Sequence, residues 1–194
     1  YKQGTPDDLL TFTTCYMSML DHTGTHIDSF FHNNPEGLSV DEMPIEMFMG
    51  KAVCLDLRHI PDRGIITRKD MEDAEKKSNV AVDNHIVLLC TGLNKRHWPK
   101  DSIVFNNPQV SADATKWLYE KKSKVHGVEG PSTDIVDENI FENHRLCRDL
   151  GMVHYEWLWN LEEVLGVGEF RFQGIPLRIK KGSGSPVRAL AFLD

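Results

Sequence analysis

The sequence predicts a single α/β domain with a mixed β-sheet packed with helices. The chain has 194 residues, 40% of them hydrophobic and 26% charged, which is ordinary for one globular domain with a sizeable core. Short apolar runs bounded by turn residues alternate along the chain with segments of helical periodicity. No internal repeat, low-complexity tract or interdomain linker interrupts residues 1–194, so we treat them as one domain.

The first half of the chain alternates strand and helix patterns. Residues 9–20 are rich in β-branched and aromatic side chains, which predicts a strand that leads into a histidine-rich segment. Residues 51–57 and 84–92 are short apolar runs of the kind found in buried strands. Between them, Thr67 followed by Asp70 forms a capping-box pattern, which predicts the start of a helix through TRKDMEDAEKK.

The second half repeats this alternation with the same turn and capping signals. Its predicted elements are, in order, a helix that begins at Ser111, a strand at 124–130, a helix over 138–150 closed by Gly151, a strand over 152–159, and two final strands at 168–179 and 185–194 that pair with each other.

The composition excludes several classes of partner. A net charge of -7 with scattered Lys and Arg gives no basic footprint for nucleic acid. No apolar stretch reaches the about 18 to 20 residues that span a bilayer, and no charged and apolar leader precedes the first elements, so we expect no membrane partner. The four cysteines form no CxxC pair, which favours small buried side chains over disulfides and makes the cytoplasm the expected compartment.

The segment HTGTHIDSFFH concentrates titratable side chains at its even positions. In an extended segment successive side chains alternate between two faces, so His22, His26, Asp28 and His32 would share one face. A helix would instead turn Asp28 about 200° away from His26. The Thr-Gly-Thr stretch is a poor helix former, so we predict extended chain with a bend at Gly24.

A divalent metal ion explains this grouping. Packed together without a cation, imidazoles and a carboxylate compete for partners, whereas a metal takes neutral nitrogens and anionic oxygens as ligands. Further ligands are expected from distant parts of the chain. The candidates are His144, within FENHRLCRDLG, and Glu156, which lies between Tyr155 and Trp157 in an apolar strand where an unpaired carboxylate is costly. His154 shares that strand face by parity and is an alternative ligand.

Other interpretations of the histidines stay open at this point. HxD with a distant His is also the pattern of non-haem Fe(II) oxygenases, although those enzymes typically have an all-β jelly roll and this chain alternates β with α. A metal-binding protein without catalysis is another alternative. The remaining histidines have no carboxylate at ligand spacing, so we interpret them as structural or solvent-exposed: His59, His85, His97 and His126.

Several motifs together resemble the cyclase-like metal-dependent hydrolases, the family of bacterial kynurenine formamidase (arylformamidase) and isatin hydrolase. HTGTHIDSFFH resembles the signature HxGTHxDxPxH. LLCTGLNKRHWP resembles the family's TG...W loop, and HGVEGPSTD resembles its G-x-D-x-P-S-x-D segment. HRLCRDLGMVHYEWLWNL resembles its H...G...E-N-L stretch, with the same step from His to Glu. The resemblance covers residues 9–194 and implies the swivelling β/β/α type of fold.

The resemblance implies a pair of divalent ions, zinc or manganese. The implied ligands are His22, His26, Asp28, His144 and Glu156, with Asp28 and Glu156 shared between the ions. His32 would be the catalytic acid/base rather than a ligand. A bound metal lowers the pKa of water toward about 7 and polarises a carbonyl, so hydroxide can attack an amide or lactone carbon. His32 would take the proton of the water and return it to the leaving group.

The sequence departs from the family pattern near the expected pocket. Phe30 stands where the family has proline, Glu129 where it has aspartate, and Trp157 where it has asparagine. We also expect the family's N-terminal strand to be missing. These departures bear on the substrate more than on the metal chemistry.

The resemblance implies an arylformamidase-like hydrolase that cleaves a carbon-nitrogen amide bond of the N-formylkynurenine type. Cyclic amides of the isatin type and lactones are alternatives, since each presents a carbonyl to the same hydroxide. A small aromatic or cyclic substrate would meet aromatic side chains near the motifs, namely Phe30, Phe31, Trp98, Trp157 and Trp159, for which core packing is the other interpretation. A homodimer or homotetramer is the expected assembly.

Overall fold

The chain folds around one large mixed sheet, and the computed structural model describes residues 13–138 and 140–193. The strands are β1 (His26–Asp28), β2 (Met49–Asp56), β3 (Ile65–Ile66), β4 (Ile86–Cys90), β5 (Gln109–Val110), β6 (Val125–Val128), β7 (Val153–Glu156), β8 (Phe170–Gln173), β9 (Gly184–Pro186) and β10 (Leu190–Phe192). The helices are α1 (Phe30–Asn33), α2 (Arg68–Ser78), α3 (Leu93–His97), α4 (Ala112–Glu120) and α5 (Glu142–Leu150). Short 3-10 turns lie at Ile45–Phe48, Asp101–Phe105, Val136–Glu138 and Leu161–Val164.

The main sheet has eight strands in the order β10-β8-β2-β4-β6-β7-β1-β9. Its centre is parallel, because β2, β4, β6 and β7 run in one direction. The outer strands are antiparallel to their neighbours. The mixed sheet with helices confirms the predicted fold class and differs from an all-β jelly roll.

Helices α2, α4 and α5 cover one face of this sheet. Met71, Trp117 and Leu118 bury their side chains against alternate residues of the central strands, such as Leu55 and Leu89. The other residues of the strands face a second cluster that includes large aromatic side chains. Both faces of the parallel centre are therefore buried, as expected for continuous apolar runs. Within residues 13–138 and 140–193, none of the helices has the length and apolarity needed to cross a bilayer.

The capping residues predicted from the sequence are present at the ends of α2, α4 and α5. Thr67 and Asp70 form a reciprocal capping box at the start of α2, and the Ser111 hydroxyl accepts a hydrogen bond from the backbone N–H of Ala114 in α4. Gly151 ends α5 with a φ of +65°, a left-handed conformation that glycine adopts without strain. The last helix begins at Glu142 rather than at residue 138, because residues 136–138 form a separate 3-10 turn.

Two predicted strands differ in the structure. Residues 13–20 form no strand and are exposed, with Tyr16 93% accessible, because they do not lie beside a strand with which to pair. The remainder of the predicted strand, residues 9–12, lies outside the described residues. At the other end of the chain, β10 pairs with β8 as predicted. The residues of β9 instead pair with β1, so β9 is the edge strand of the sheet beside the histidine-rich strand.

Candidate metal centre

Two neighbouring strands present donor side chains on one face of the sheet. β1 and β7 are antiparallel partners, and His26 lies opposite Glu156 in their register. Because side chains alternate along a strand, Asp28 lies on the same face as His26, and His154 on the same face as Glu156. The residues between them point the other way and join the hydrophobic core. All four donors are buried, with at most 6% of their surface exposed.

Two more histidines reach this face from outside the strands. His22 lies in the turn before β1, where Gly24 adopts a φ of +66° that glycine tolerates. The turn folds His22 back so that its ring centre lies 4.9 Å from that of His26. His144 comes from α5, and its Nε2 lies 3.7 Å from Glu156 Oε1. The predicted ligands from the two ends of the chain therefore meet.

The Asp28 carboxylate faces two separate groups of imidazoles. Its Oδ1 lies 2.9 Å from His22 Nδ1 and 3.5 Å from His26 Nε2. Its Oδ2 lies 3.1 Å from His154 Nε2 and 3.9 Å from His144 Nε2. One carboxylate is thus shared between two sets of nitrogen donors.

The Glu156 carboxylate is shared in the same way. Its Oε2 lies 3.4 Å from His26 Nε2, and its Oε1 lies 3.2 Å from His154 Nε2. The donor atoms thus form two groups that could each hold a metal ion, namely His22, His26 and Asp28, and Asp28, His144, His154 and Glu156. Imidazole nitrogen with carboxylate oxygen suits divalent metals such as zinc and manganese.

Hydrogen bonds on the opposite ring nitrogens determine which nitrogen faces the carboxylates. His26 Nδ1 lies 2.7 Å from the carbonyl oxygen of Gly24, which can only accept, so Nδ1 carries the proton and Nε2 offers its lone pair. His144 Nδ1 donates to the Asp134 carboxylate at 2.6 Å, which leaves His144 Nε2 as the free donor atom. Both rings are therefore held in the tautomer that a metal requires.

His22 is oriented through a hydroxyl. The Ser183 hydroxyl donates its single proton to Asp21 at 2.8 Å and accepts from His22 Nε2 at 2.9 Å. His22 Nδ1 is then unprotonated and faces Asp28. Ser183 lies just before β9, so the strand that pairs with β1 also positions its first histidine.

Buried polar atoms at this site have no hydrogen-bond partner among the described residues. They are His26 Nε2, both carboxylate oxygens of Asp28, both ring nitrogens of His154 and Glu156 Oε1. Leaving such groups unpartnered costs about 1–3 kcal/mol each. A divalent cation would satisfy them, so the side chains present fit a metal centre.

The pKa values show how strongly this face attracts positive charge. Burial alone lowers the pKa of His26, but the facing Asp28 and Glu156 carboxylates outweigh it and raise the pKa to about 10. Burial raises the pKa of Asp28, yet the imidazoles of His154, His22 and His26 that face it bring the pKa well below its usual range.

His32 stands apart from the other histidines. The extended backbone predicted for this segment ends at Asp28, and His32 lies on the one-turn helix α1. His32 Nε2 nevertheless lies 4.0 Å from Asp28 Oδ2. Its side chain is 34% exposed, in contrast to the buried donors. Desolvation lowers its pKa, which favours a neutral imidazole able to accept a proton.

A cavity of about 680 Å³ opens beside the turn that carries His22. Its lining consists of Gly24, Thr25, Trp98, Trp157 and Trp159. The rings of Trp98 and Trp159 pack edge to face at 5.4 Å. Trp157 has a φ of +53°, a conformation that strains a bulky residue and that asparagine tolerates better.

Phe30 and Phe31 do not line this cavity as the described residues form it. Phe30 is partly buried and packs against the hydrophobic core. Phe31 is 36% exposed on α1. Of the four predicted substrate contacts, the structure therefore brings together only Trp98 and Trp157 at one cavity, and a role for the two phenylalanines stays a prediction.

Sequence reasoning missed the residues that orient the ligands. Asp134 accepts hydrogen bonds from the His144 ring and from the backbone N–H groups of Asn143 and His144. Its only signal was its place at the end of HGVEGPSTD. Asp21 and Ser183 carried no signal, because their contact joins distant parts of the chain.

The other histidines divide into two kinds. Three pair with carboxylates away from the centre, as expected for structural residues: His59 with Asp70, His85 with Glu169 and His97 with Asp62. His126 is different, because it is completely buried next to His154, with ring centres 5.3 Å apart.

The fold and this site define an α/β protein with a buried centre of histidines and shared carboxylates, the arrangement of a metal-dependent enzyme. A family model described as "Putative cyclase" matches residues 3–135, and the chain belongs to this cyclase family.

Relatives and solved structures agree with this assignment. The chain is 29% identical to the kynurenine formamidase of Bacillus cereus over 174 residues, which cover 90% of this chain and 77% of that protein. It is 28% identical to the kynurenine formamidase of Bacillus anthracis over 175 residues, with the same shares covered. Isatin hydrolase A from Labrenzia aggregata, bound to benzyl benzoate, is 28% identical with a TM-score of 0.77, over 90% of this chain and 74% of that one. An isatin hydrolase bound to the product analogue thioisatinate, 22% identical, shares the fold with a TM-score of 0.80 over 94% of this chain and 75% of that one.

Proposed function

We propose that the protein is a metal-dependent hydrolase that cleaves a carbon-nitrogen bond of a small aromatic amide, with N-formylkynurenine as the first substrate to test. The observation that carries the proposal is the sharing of the Asp28 and Glu156 carboxylates between two groups of imidazole donors. The kynurenine formamidases related to the chain support the same chemistry.

The donors suit two ions per chain, zinc or manganese. His22, His26 and Asp28 would hold one ion and His144 the other, with Asp28 and Glu156 shared. When bound, such ions lower the pKa of water toward about 7 and polarise a carbonyl oxygen.

Residues of the chain itself would carry the proton and hold the substrate. His32, exposed at the edge of the centre with a lowered pKa, takes a proton from water and returns it to the leaving nitrogen. The tryptophan cavity binds the aromatic ring of the substrate beside the turn that carries His22, so the carbonyl is presented to the centre.

A cyclic amide of the isatin type is the second candidate. The flat tryptophan surfaces of the cavity suit a fused ring as well as a single one. The likeness to isatin hydrolase A supports this choice. A lactone presents the same carbonyl and is the third substrate to test.

The test compares hydrolysis of N-formylkynurenine, isatin and a simple lactone by the purified protein after metal analysis. Activity should disappear on chelation and return with zinc or manganese. A His26→Ala variant should lose metal without unfolding. The control is His85→Ala, which removes a buried histidine away from the metal centre and should keep the metal. Hydrolysis of none of the three substrates by metal-loaded protein would refute the proposal, as would activity that survives metal removal.

The proposal includes a homodimer or homotetramer in the cytoplasm, as implied by the resemblance. Trp98 and Trp159 are 61% and 45% exposed, so a neighbouring subunit could complete the cavity. Light scattering of the purified protein gives the mass of the assembly.

A further inference from the structure

We infer that His154 is an additional protein ligand of the second metal ion, the ion between His144 and Glu156; the inference rests on the proposed metal-dependent function. The surroundings of the His154 side chain favour this role. It is 1% exposed, and neither ring nitrogen has a hydrogen-bond partner among the described residues. A buried imidazole in this state is costly unless something else satisfies its nitrogens.

The distances around His154 are those of atoms that share an ion. Its Nε2 lies 3.1 Å from Asp28 Oδ2 and 3.2 Å from Glu156 Oε1. Ligands bound to one zinc ion at about 2.0–2.1 Å in a tetrahedron lie about 3.3 Å from one another. The corresponding distances of His144 Nε2 to the same two oxygens are 3.9 Å and 3.7 Å. His154 is therefore at least as well placed as His144, which was already a predicted ligand.

The strand geometry fixes this position. His154 is two residues before Glu156 on β7, so both side chains leave the same face of one short, buried strand. The rings of His154 and His144 pack edge to face at 4.7 Å. No change of backbone is needed to bring these nitrogens and the two carboxylates together.

The surroundings of the ring explain which nitrogen binds. Nε2 faces the carboxylates. On β6, His126 is the register partner of His154, and its ring lies at 5.3 Å. A ring nitrogen of each histidine and the sulfur of Cys147 lie within 4.8 Å of one another. We assign Nε2 to the metal, so Nδ1 faces His126 and Cys147. In the other histidine ligands, the ring nitrogen that does not face the carboxylates contacts a carbonyl, a carboxylate or a hydroxyl.

This assignment gives the two ions equal numbers of protein ligands. His22, His26, Asp28 and Glu156 would hold the first ion. Asp28, His144, His154 and Glu156 would hold the second ion, so each ion would have two imidazoles and the two shared carboxylates.

Cobalt-substituted wild-type protein tests the assignment without any mutation. Paramagnetic cobalt shifts the N–H proton of each imidazole that binds it, so proton NMR counts the ligand histidines. We expect four shifted, exchangeable signals, from His22, His26, His144 and His154. Three signals in protein that holds two cobalt ions per chain would overturn the inference.

A pair of matched variants provides the second test. His154→Leu should lower the affinity for the second zinc ion at least about 100-fold, measured by competition with a chromophoric chelator, and should remove one shifted signal. His85→Leu, which removes a buried histidine that pairs with Glu169 away from the centre, should keep both ions. Equal metal affinity in His154→Leu and wild type would refute the ligand role, and unfolding of either variant leaves the wild-type signal count as the deciding result.

The alternative position for an ion is the outer side of His154, with His126 and Cys147 as ligands. Cobalt bound there would give a thiolate charge-transfer band in the near ultraviolet that Cys147→Ala abolishes. That band would overturn the inference. Hydrolytic activity of the wild type is measured separately, so failure of the proposed reaction and failure of this ligand assignment give different results.

Discussion

Asp134 contacts His144 at two points, through the ring and through the backbone. Its Oδ2 accepts the Nδ1–H of the ring at 2.6 Å and the backbone N–H of the same residue at 3.1 Å. Asp134 is buried, and although burial raises its pKa, the hydrogen bonds from His144 and the neighbouring backbone lower it overall, so the carboxylate is ionised. The same group thus fixes the start of α5 and the tautomer of a candidate metal ligand.

Replacing this carboxylate should weaken metal binding. We expect Asp134→Asn to lower metal affinity about 10- to 100-fold, because the amide is a poorer acceptor for the imidazole N–H. Competition with a chelator measures the change. Asp137→Asn is the control. Asp137 lies three residues after Asp134 but is exposed and pairs with Arg63. Equal affinities for the two variants would show that Asp134 does not tune the ligand.

His32 offers a test that separates proton transfer from metal binding. We expect His32→Ala to keep its metal and to lose about 10²- to 10⁴-fold in kcat, because the general acid/base is removed while the buried donors stay in place. Metal analysis and steady-state hydrolysis of the best substrate provide both values. His59→Ala removes an exposed histidine that pairs with Asp70 far from the centre and should change neither. Full activity in His32→Ala, or loss of its metal, would contradict the assignment.

The sequence predicted the grouping of these side chains well where strand periodicity governs the geometry. His26 and Asp28 share a face because side chains alternate along β1, and Glu156 joins them because β7 is its partner. The parity argument failed beyond Asp28, where α1 begins. His32 still lies at the edge of the centre, with its Nε2 4.0 Å from Asp28 Oδ2.

Contacts between distant segments were beyond the reach of sequence patterns. Ser183 orients His22 across the pairing of β9 with β1. The pairing predicted between the last two strands is confirmed by β8 and β10, but no sequence pattern indicated that the segment between them pairs with β1. The exposed stretch at 13–20 shows the same limit, since β propensity forms a strand only where a partner is available.

Glu129 should be important for stability rather than catalysis. It is completely buried, and its Oε2 accepts hydrogen bonds from the backbone N–H groups of Thr91, Gly92 and Leu93 and from the Thr91 hydroxyl. Glu129→Ala leaves these donors buried without a partner, so we expect the free energy of unfolding to fall by at least about 3 kcal/mol. Urea denaturation measures the difference.

The control for this variant is Glu163→Ala, which removes an exposed carboxylate and should change stability by less than about 0.5 kcal/mol. The backbone N–H groups that donate to Glu129 lie at the start of α3, the helix that precedes Trp98. A small fall in the free energy of unfolding would contradict the role of Glu129, because it would mean that these groups find other acceptors.

The tryptophan cavity and the phenylalanines of α1 are two alternative surfaces for the aromatic ring of the substrate. Trp98 lines the cavity, and its ring packs against Trp159, whereas Phe31 lies within the segment HTGTHIDSFFH but outside that lining. If the cavity holds the aromatic ring of the substrate, Trp98→Ala should raise KM about 2- to 10-fold, the loss of one aromatic contact. The kcat should stay unchanged, because the contact is equal in the ground state and the transition state. Phe31→Ala should leave both constants unchanged. Steady-state kinetics with N-formylkynurenine or isatin decide between the two surfaces, and a rise in KM for Phe31→Ala alone would move the substrate from the tryptophans to α1.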